Sequence, residues 1–469
     1  MKRCHRLALL ALLGLAVVPA ASLRAAASAR PNLVVIMTDD HGYADVGFNG
    51  CPDIPTPHLD SIARRGVRFS SGYVTYSVCS PSRAGFITGR YPQRFGHERN
   101  PRFLPADRSA GLPLSETTLA DTLGKIGYRN AIVGKWHLGA HPDLHPLQRG
   151  FHEFFGMLGG GHRYFPAEYT IRETAAAKSE ADSYRLWLMR NHEPVPPSDQ
   201  YLTDELSDAA VGFIARHRAT PFFLYLAYNA PHTPLQATEK YLSRFANITD
   251  PKRRTYAAMV SAVDDGVGRV LAELRRLGLE ENTLVFFLSD NGGPTTVNAS
   301  RNTPLRGNKG DVWEGGFRVP FAAQWPARFP AGRTYGHPVS SLDIFATIAA
   351  VTAAPLDPAR PLDGVNLLPF VTGAQSGAPH AAIYLRKFDQ GAFAVRRGDF
   401  KIAIPKRGDA PLLFNLASDL GETKDLAAAE SGIVAELEAL RTAWNARLVA
   451  PVFAGLLDSP TAKKAPKAK

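Results

Sequence analysis

At 469 residues, 45% of them apolar, the chain can bury a substantial core, and its length suggests two or three structural units, so general disorder is excluded. The formal charge of +11 has the sign of a polyanion binder, but Lys2, Arg3, Arg6 and Arg24 lie near the N-terminus and Lys463, Lys464, Lys467 and Lys469 near the C-terminus; without them about +3 remains, which singles out neither nucleic acid nor a membrane surface as a partner. Three cysteines, Cys4, Cys51 and Cys79, are too few for a disulfide-dense scaffold.

Residues 1–29 read as a signal peptide: Lys2, Arg3 and Arg6 precede the apolar run 7–18, and small residues surround Ala25, Ala27 and Ala29. The run is too short to span a bilayer and no other stretch is long enough, so an exported protein, periplasmic or secreted, is expected, without a membrane span. The run Asn32–Thr38 (NLVVIMT) has the continuous apolar, β-branched character of a strand buried on both faces. A helical stretch at 116–126, a short strand at 130–134, a helix at 201–217 and a buried strand at 221–228 follow. Tyr256, Met259, Val260, Val263, Val267, Val270, Leu271 and Leu274 then recur at helical spacing ahead of a strand at Thr283–Ser289. This alternation predicts an α/β fold with a mainly parallel sheet between helices, and ligands at the carboxyl ends of its strands. After Gly364 the pattern changes to short strands at Ile383–Lys387, Ala392–Arg397 and 400–405 and a closing helix at 433–448. The division expected is a catalytic domain at 30–364, a smaller C-terminal subdomain of antiparallel sheet plus helix at 365–455, and a disordered basic tail at 456–469. No solenoid repeat is visible.

Two buried strands run out into oxygen donors, Asp39-Asp40 and Asp290-Asn291. Neighbours in a strand point to opposite faces, so both members of a pair can meet one ion only in the turn beyond it, where these pairs lie. Three carboxylates and an amide suit a hard divalent ion, Ca²⁺ in preference to Mg²⁺, although either pair alone reads more readily as a turn or cap. Lys135 and His137, two apart at a strand end, are expected on one face, where a cation and an imidazole suit binding an anion and moving a proton. His232 follows the strand at 221–228, and Lys309 lies in a glycine-rich segment that permits close approach to a ligand. Gly159-Gly160-Gly161-His162-Arg163-Tyr164 offers a place for sugar contacts or an ordinary surface loop. Counting alone leaves a Cys51–Cys79 disulfide and a free Cys79 both open.

Cys79-Ser80-Pro81-Ser82-Arg83, continuing to Thr88-Gly89, resembles the signature of type I sulfatases, whose nucleophile is formylglycine (3-oxoalanine) made by oxidising the cysteine. The similarity runs on through Gly134-Lys135-Trp136-His137-Leu138-Gly139, Pro231-His232, Ser289-Asp290-Asn291-Gly292, the Lys309 loop and Glu314 to Pro320, and into Leu413 to Leu416 with Asp419 and Gly421-Glu422. The resemblance implies the alkaline-phosphatase-like fold, hydrolysis of sulfate esters, and a calcium ion held by Asp39, Asp40, Asp290, Asn291 and the group at Cys79. It makes the disulfide reading give way and implies a formylglycine-generating maturation enzyme as partner. In the mechanism it implies, the hydrated aldehyde attacks sulfur while Lys135, His232 and Lys309 neutralise sulfate oxygens. His232, or a lysine beside it, protonates the leaving alcohol, His137 takes the proton that lets sulfate depart, and Arg83 supports the nucleophile. A sulfated glycan is the expected substrate, with His162 and Arg163 as candidate sugar contacts. The alternatives are a phosphonate or phosphate ester hydrolase of the same superfamily and a glycan-binding relative without catalysis. No nucleic-acid motif is present.

Overall fold

A computed structural model describes residues 30–458; the expected signal peptide and residues 459–469 of the tail lie outside the described residues. Ten strands form the main sheet: β1 (Asn32–Thr38), β2 (Val67–Phe69), β3 (Arg129–Lys135), β4 (Glu153–Met157), β5 (Met189–Arg190), β6 (Glu193–Pro194), β7 (Phe222–Ala227), β8 (Thr283–Ser289), β9 (Phe321–Gln324) and β10 (Arg333–Tyr335). Their spatial order is β10-β2-β9-β8-β1-β7-β3-β4-β5-β6. From β8 through β4 all neighbours are parallel, with Leu33 opposite both Phe223 and Leu284, while β9 and β5 pair antiparallel at either side.

The helices are α1 (Pro57–Arg64), α2 (Cys79–Thr88), α3 (Leu119–Gly124), α4 (Glu180–Ser183), α5 (Leu202–Arg216), α6 (Pro251–Arg276), α7 (Leu342–Thr352) and α8 (Ser431–Asn445), with further single turns between them. Strand alternation sorts the core into two layers. Leu33, Val35 and Met37 of β1 join Phe86 of α2, Leu123 of α3 and Ile348 of α7 on one face. Val34 and Ile36 join Ile62 of α1, Phe213 of α5 and Val263 of α6 on the other. Each such side chain contributes about 1.5–3 kcal/mol on burial, so a strand apolar on both faces is stable only between two helix layers. The long α6 starts where Asp250 accepts from the Lys252 amide at 3.0 Å and Pro251 takes the first helical position.

The C-terminal sheet is the antiparallel meander β11 (Ile383–Lys387), β12 (Ala392–Arg397), β13 (Phe400–Ile404) and β14 (Leu412–Asn415). Its outer residues Val395, Ile402 and Leu413 pack on Leu437 of α8, and its inner residues Leu385, Ala394 and Phe414 enter the first core layer. The architecture is the mainly parallel sheet between helices, with a small antiparallel sheet, that the alternation predicted. Differences are local. The helix expected at 116–126 shortens to α3 because Thr118 and Asp121 form a capping box at its start, and β14 joins as a fourth strand. Leu456–Asp458, inside the tail expected to be disordered, form a short 3-10 turn. No described helix is long and apolar enough to cross a membrane.

Candidate active site

Because β1 and β8 are parallel neighbours with Thr38 opposite Ser289, Asp39-Asp40 and Asp290-Asn291 leave the sheet side by side. Asp40 then takes a left-handed backbone (φ 62°), which bends the chain so that consecutive carboxylates serve one point instead of opposite faces. The ligand atoms of Asp39, Asp40, Cys79 and Asp290, all buried, lie within 4.8 Å of one another. Asn291 donates from Nδ2 to Asp40 Oδ1 at 2.7 Å, while its buried Oδ1 has no partner among the described residues. Three buried carboxylates and a spare amide oxygen fit a divalent cation held by oxygen ligands.

Cations already surround these carboxylates. Arg83 donates to Asp290 Oδ2 from Nε at 3.0 Å and from Nη2 at 2.8 Å, Lys135 pairs with Asp39, and Lys309 Nζ lies 2.7 Å from Asp40 Oδ1. Burial alone would raise Asp39, but Lys135, His232, Arg83 and Lys309 hold it well below the usual carboxylate range. For Asp290, burial and then the charge of Asp39 win over Arg83, pushing it up to about 6. Burial opposes the charge on Lys309, yet Asp40, Cys79 and Asp39 raise it well above its ordinary value, so it stays an ammonium.

Cys79 is the first residue of α2, which is buried throughout. Its Sγ lies 3.6 Å from Asp39 Oδ1, and burial, against Lys135 and Lys309, pushes the thiol up to about 12, so a thiolate is not at hand near neutral pH. Cys51 and Cys79 are both free thiols, Cys51 lying instead beside Asp53 and Arg253. Arg83 follows Cys79 by one helical turn and also donates from Nη1 to the Lys135 carbonyl at 3.2 Å and to Tyr225 Oη at 3.3 Å, so it braces the site from beneath. Ser80 Oγ donates to the His137 carbonyl at 2.6 Å, tying the start of α2 to the turn after β3.

That turn departs from expectation. Lys135 is the last residue of β3, but His137 lies beyond the strand with φ 56°, so strand alternation does not place it; a left-handed turn does. Gly134, just ahead, has φ 112°, and a β-carbon there would stand 1.9 Å from the Ala227 carbonyl oxygen, which explains the glycine. Neither ring nitrogen of His137 has a partner among the described residues. Burial, then Lys135 and Arg83, outweigh Asp39 and keep the imidazole neutral. His232 sets Nδ1 2.7 Å from the Thr233 carbonyl and Nε2 3.6 Å from Asp40 Oδ2; burial lowers its pKa against the pull of Asp39 and Asp40.

The structure thus brings together Asp39, Asp40, Cys79, Arg83, Lys135, His137, His232, Asp290, Asn291 and Lys309. His162 and Arg163, the candidate sugar contacts, have partners of their own. His162 is fully buried with both ring nitrogens 2.8 Å from the Arg163 and Leu186 carbonyls, and Arg163 points toward Glu168 at 3.4 Å. The glycine run before them serves packing: a β-carbon at Gly160 would meet Glu180 and His137, and one at Gly161 would meet Tyr184. Glu180 and Tyr184, whose ring centroid is 6.4 Å from that of His232, went unnoticed in the sequence because their polar stretch carries no periodic or motif signal.

Fold and site together define a hydrolase of the alkaline-phosphatase-like class, with buried cations set beside carboxylates that could hold a metal ion. Residues 31–354 match the Sulfatase family, and the chain belongs to it; it is an enzyme of sulfate-ester hydrolysis. It is 37% identical over 370 residues to N-acetylgalactosamine-6-sulfatase of Mus musculus, covering 75% of this chain and 68% of that protein, and 34% identical over 423 residues to steryl-sulfatase of Mus musculus, covering 76% and 67%. Among solved structures, Ps i-CgsB in complex with k-i-k-neocarrahexaose is similar at 38% identity and TM-score 0.84, over 90% of this chain and 94% of that chain. The phosphonate monoester hydrolase of Agrobacterium radiobacter shares the fold at 20% identity and TM-score 0.65, over 89% and 96%.

Proposed function

We propose that the protein releases inorganic sulfate from a sulfated carbohydrate, using formylglycine derived from Cys79 and a calcium ion held by Asp39, Asp40, Asp290 and Asn291. The observation that carries this reading is the convergence of a buried, protonated Cys79 with those four oxygen donors and with Lys135, His137, His232 and Lys309. When bound, the ion polarises oxygen ligands as a Lewis acid, and the hydrated aldehyde offers a hydroxyl where the thiol is a poor nucleophile.

The chain's own side chains supply the rest. Lys135 and Lys309 neutralise sulfate oxygens, contributions of the ~3–4 kcal/mol size typical of preorganised donors at developing charge. The Thr233 carbonyl accepts from Nδ1–H of His232 and fixes the ring, so Nε2 can hand a proton to the departing oxygen from the imidazolium form, which Asp39 and Asp40 favour. His137, kept neutral, accepts the proton whose removal from the side chain at position 79 lets sulfate leave. Arg83 holds Asp290 and the start of α2 in place.

A carbohydrate substrate is supported by the N-acetylgalactosamine-6-sulfatase relatives and by the similar structure bound to a neocarrahexaose. The leader-like segment at 1–29 supports export, periplasmic or secreted, and the Cys79 motif supports a formylglycine-generating enzyme as maturation partner. The test is to coexpress the chain with such an enzyme, identify the aldehyde at position 79 by peptide mass, and assay sulfate release from sulfated oligosaccharides beside 4-nitrophenyl sulfate and phosphate. Aldehyde with preferred sulfate turnover is expected. A preference for phosphorus esters, or unmodified Cys79 in an active native enzyme, would overturn the proposal.

A further inference from the structure

One carboxylate outside the residues already assigned reaches the site. Glu180 opens α4, whose N-cap Ser179 accepts from the Asp182 amide at 3.1 Å, and its side chain folds inward over Gly160. A β-carbon at Gly160 would stand 2.8 Å from Glu180 Oε1 and 2.9 Å from His137 Nε2, so the two atoms flank one point. Both are buried, and neither has a hydrogen-bond partner among the described residues. Burial raises Glu180 above the usual carboxylate value, against the pull of the Gly160 and Phe103 amides and of Lys135.

A carboxylate can only accept, and a neutral imidazole carries one proton, so a carboxylate beside Nε2 selects the tautomer protonated there and leaves the Nδ1 lone pair as the base. We propose that Glu180 is a positioning residue for His137: it accepts the Nε2–H through one bridging water seated over Gly160, and so fixes the ring's tautomer and orientation. The logic is that of the acidic member of a hydrolytic triad, which orients its histidine without touching substrate. It also accounts for glycine at position 160, since a side chain there would wedge the pair apart. The inference rests on the proposed role of His137 as a base, but its principal test does not.

In protein labelled with ¹⁵N-histidine, the His137 ring signals, assigned by their loss in His137→Gln, should report a single Nε2-protonated tautomer at neutral pH. Glu180→Gln removes the pure acceptor and Gly160→Ala, at a position with no left-handed requirement, separates the pair; both should mix the tautomers, whereas Glu180→Asp should keep part of the preference. In matured enzyme with 4-nitrophenyl sulfate, Glu180→Gln should lower kcat about 100-fold, the lower end of what general-base catalysis contributes, with little change in KM. Unchanged His137 ring signals in Glu180→Gln, or a raised KM at constant kcat, would overturn the proposal, the latter making Glu180 a substrate contact. If the matured wild type leaves sulfate esters intact, the functional reading fails while the ring signals still decide the pairing.

Discussion

At the scale of single residues, the two histidines differ in what holds them. His232 has Nδ1 fixed on the Thr233 carbonyl and Nε2 facing Asp40, whereas His137 has both nitrogens free of described partners and is kept neutral. If His137 accepts its proton in the later step, as proposed, His137→Ala should release about one equivalent of nitrophenol per active site from an activated aryl sulfate and then stall. His232→Ala should instead slow the first release, most severely for poor alcohol leaving groups. Quenched-flow measurement separates the two, and a His137→Ala enzyme without a burst would remove that assignment. Asp290 requires a gentler change than alanine, because it is fully buried against Arg83. Asp290→Asn keeps the shape but removes one of three carboxylates; it should lose bound calcium, read by metal analysis after dialysis, and with it activity. Full metal content in that variant would refute the proposed ligand set.

At the scale of elements, α2 does two jobs, presenting Cys79 at its first residue and bracing the carboxylates one turn later through Arg83. Arg83→Ala leaves Asp290 inside the protein without the two guanidinium donors on its Oδ2, and loss of one member of a buried pair costs about 3–5 kcal/mol. A lowered denaturant midpoint in the unmodified protein is expected, and an unchanged midpoint would mean that Arg83 serves the chemistry alone. The elements richest in chemistry were also the least legible as secondary structure. Strands β1, β7 and β8 show in the sequence as apolar runs because both faces are buried. By contrast α2 (CSPSRAGFIT) is buried on every side, so it has no polar face and no helical period to read.

At the scale of the whole molecule, Glu314 fastens the C-terminal sheet to the main sheet's layer. Its carboxylate meets Lys401 at 3.0 Å from β13, Arg318 at 3.1 Å and the Tyr73 hydroxyl, while Lys401 also pairs with Glu422 at 2.8 Å. Burial would raise Glu314, but Lys401, Arg318 and Arg396 hold it down to about 2; for Glu422, burial and the Glu314 charge outweigh Lys401 and the Glu314 amide, and it is pushed up instead. A depressed carboxylate stabilises the fold fully above its unfolded value, about 4.3, and loses that contribution as pH falls toward about 2. Glu314→Gln should therefore be less stable than wild type at neutral pH, with the gap narrowing below about pH 4, as read from denaturant midpoints across that range; a gap that widens on acidification would contradict the assignment. The sequence by itself determined the layered α/β fold, the motif at Cys79 and the four oxygen donors, because apolar periodicity and local motifs are properties of contiguous residues. Only the tertiary structure decided that His162 is a core residue, that left-handed turns at Asp40 and His137, and not strand alternation, aim those side chains, and that Glu180 and His137 flank one point over Gly160. These depend on backbone bends and on contacts between segments far apart in the chain, which no local pattern records.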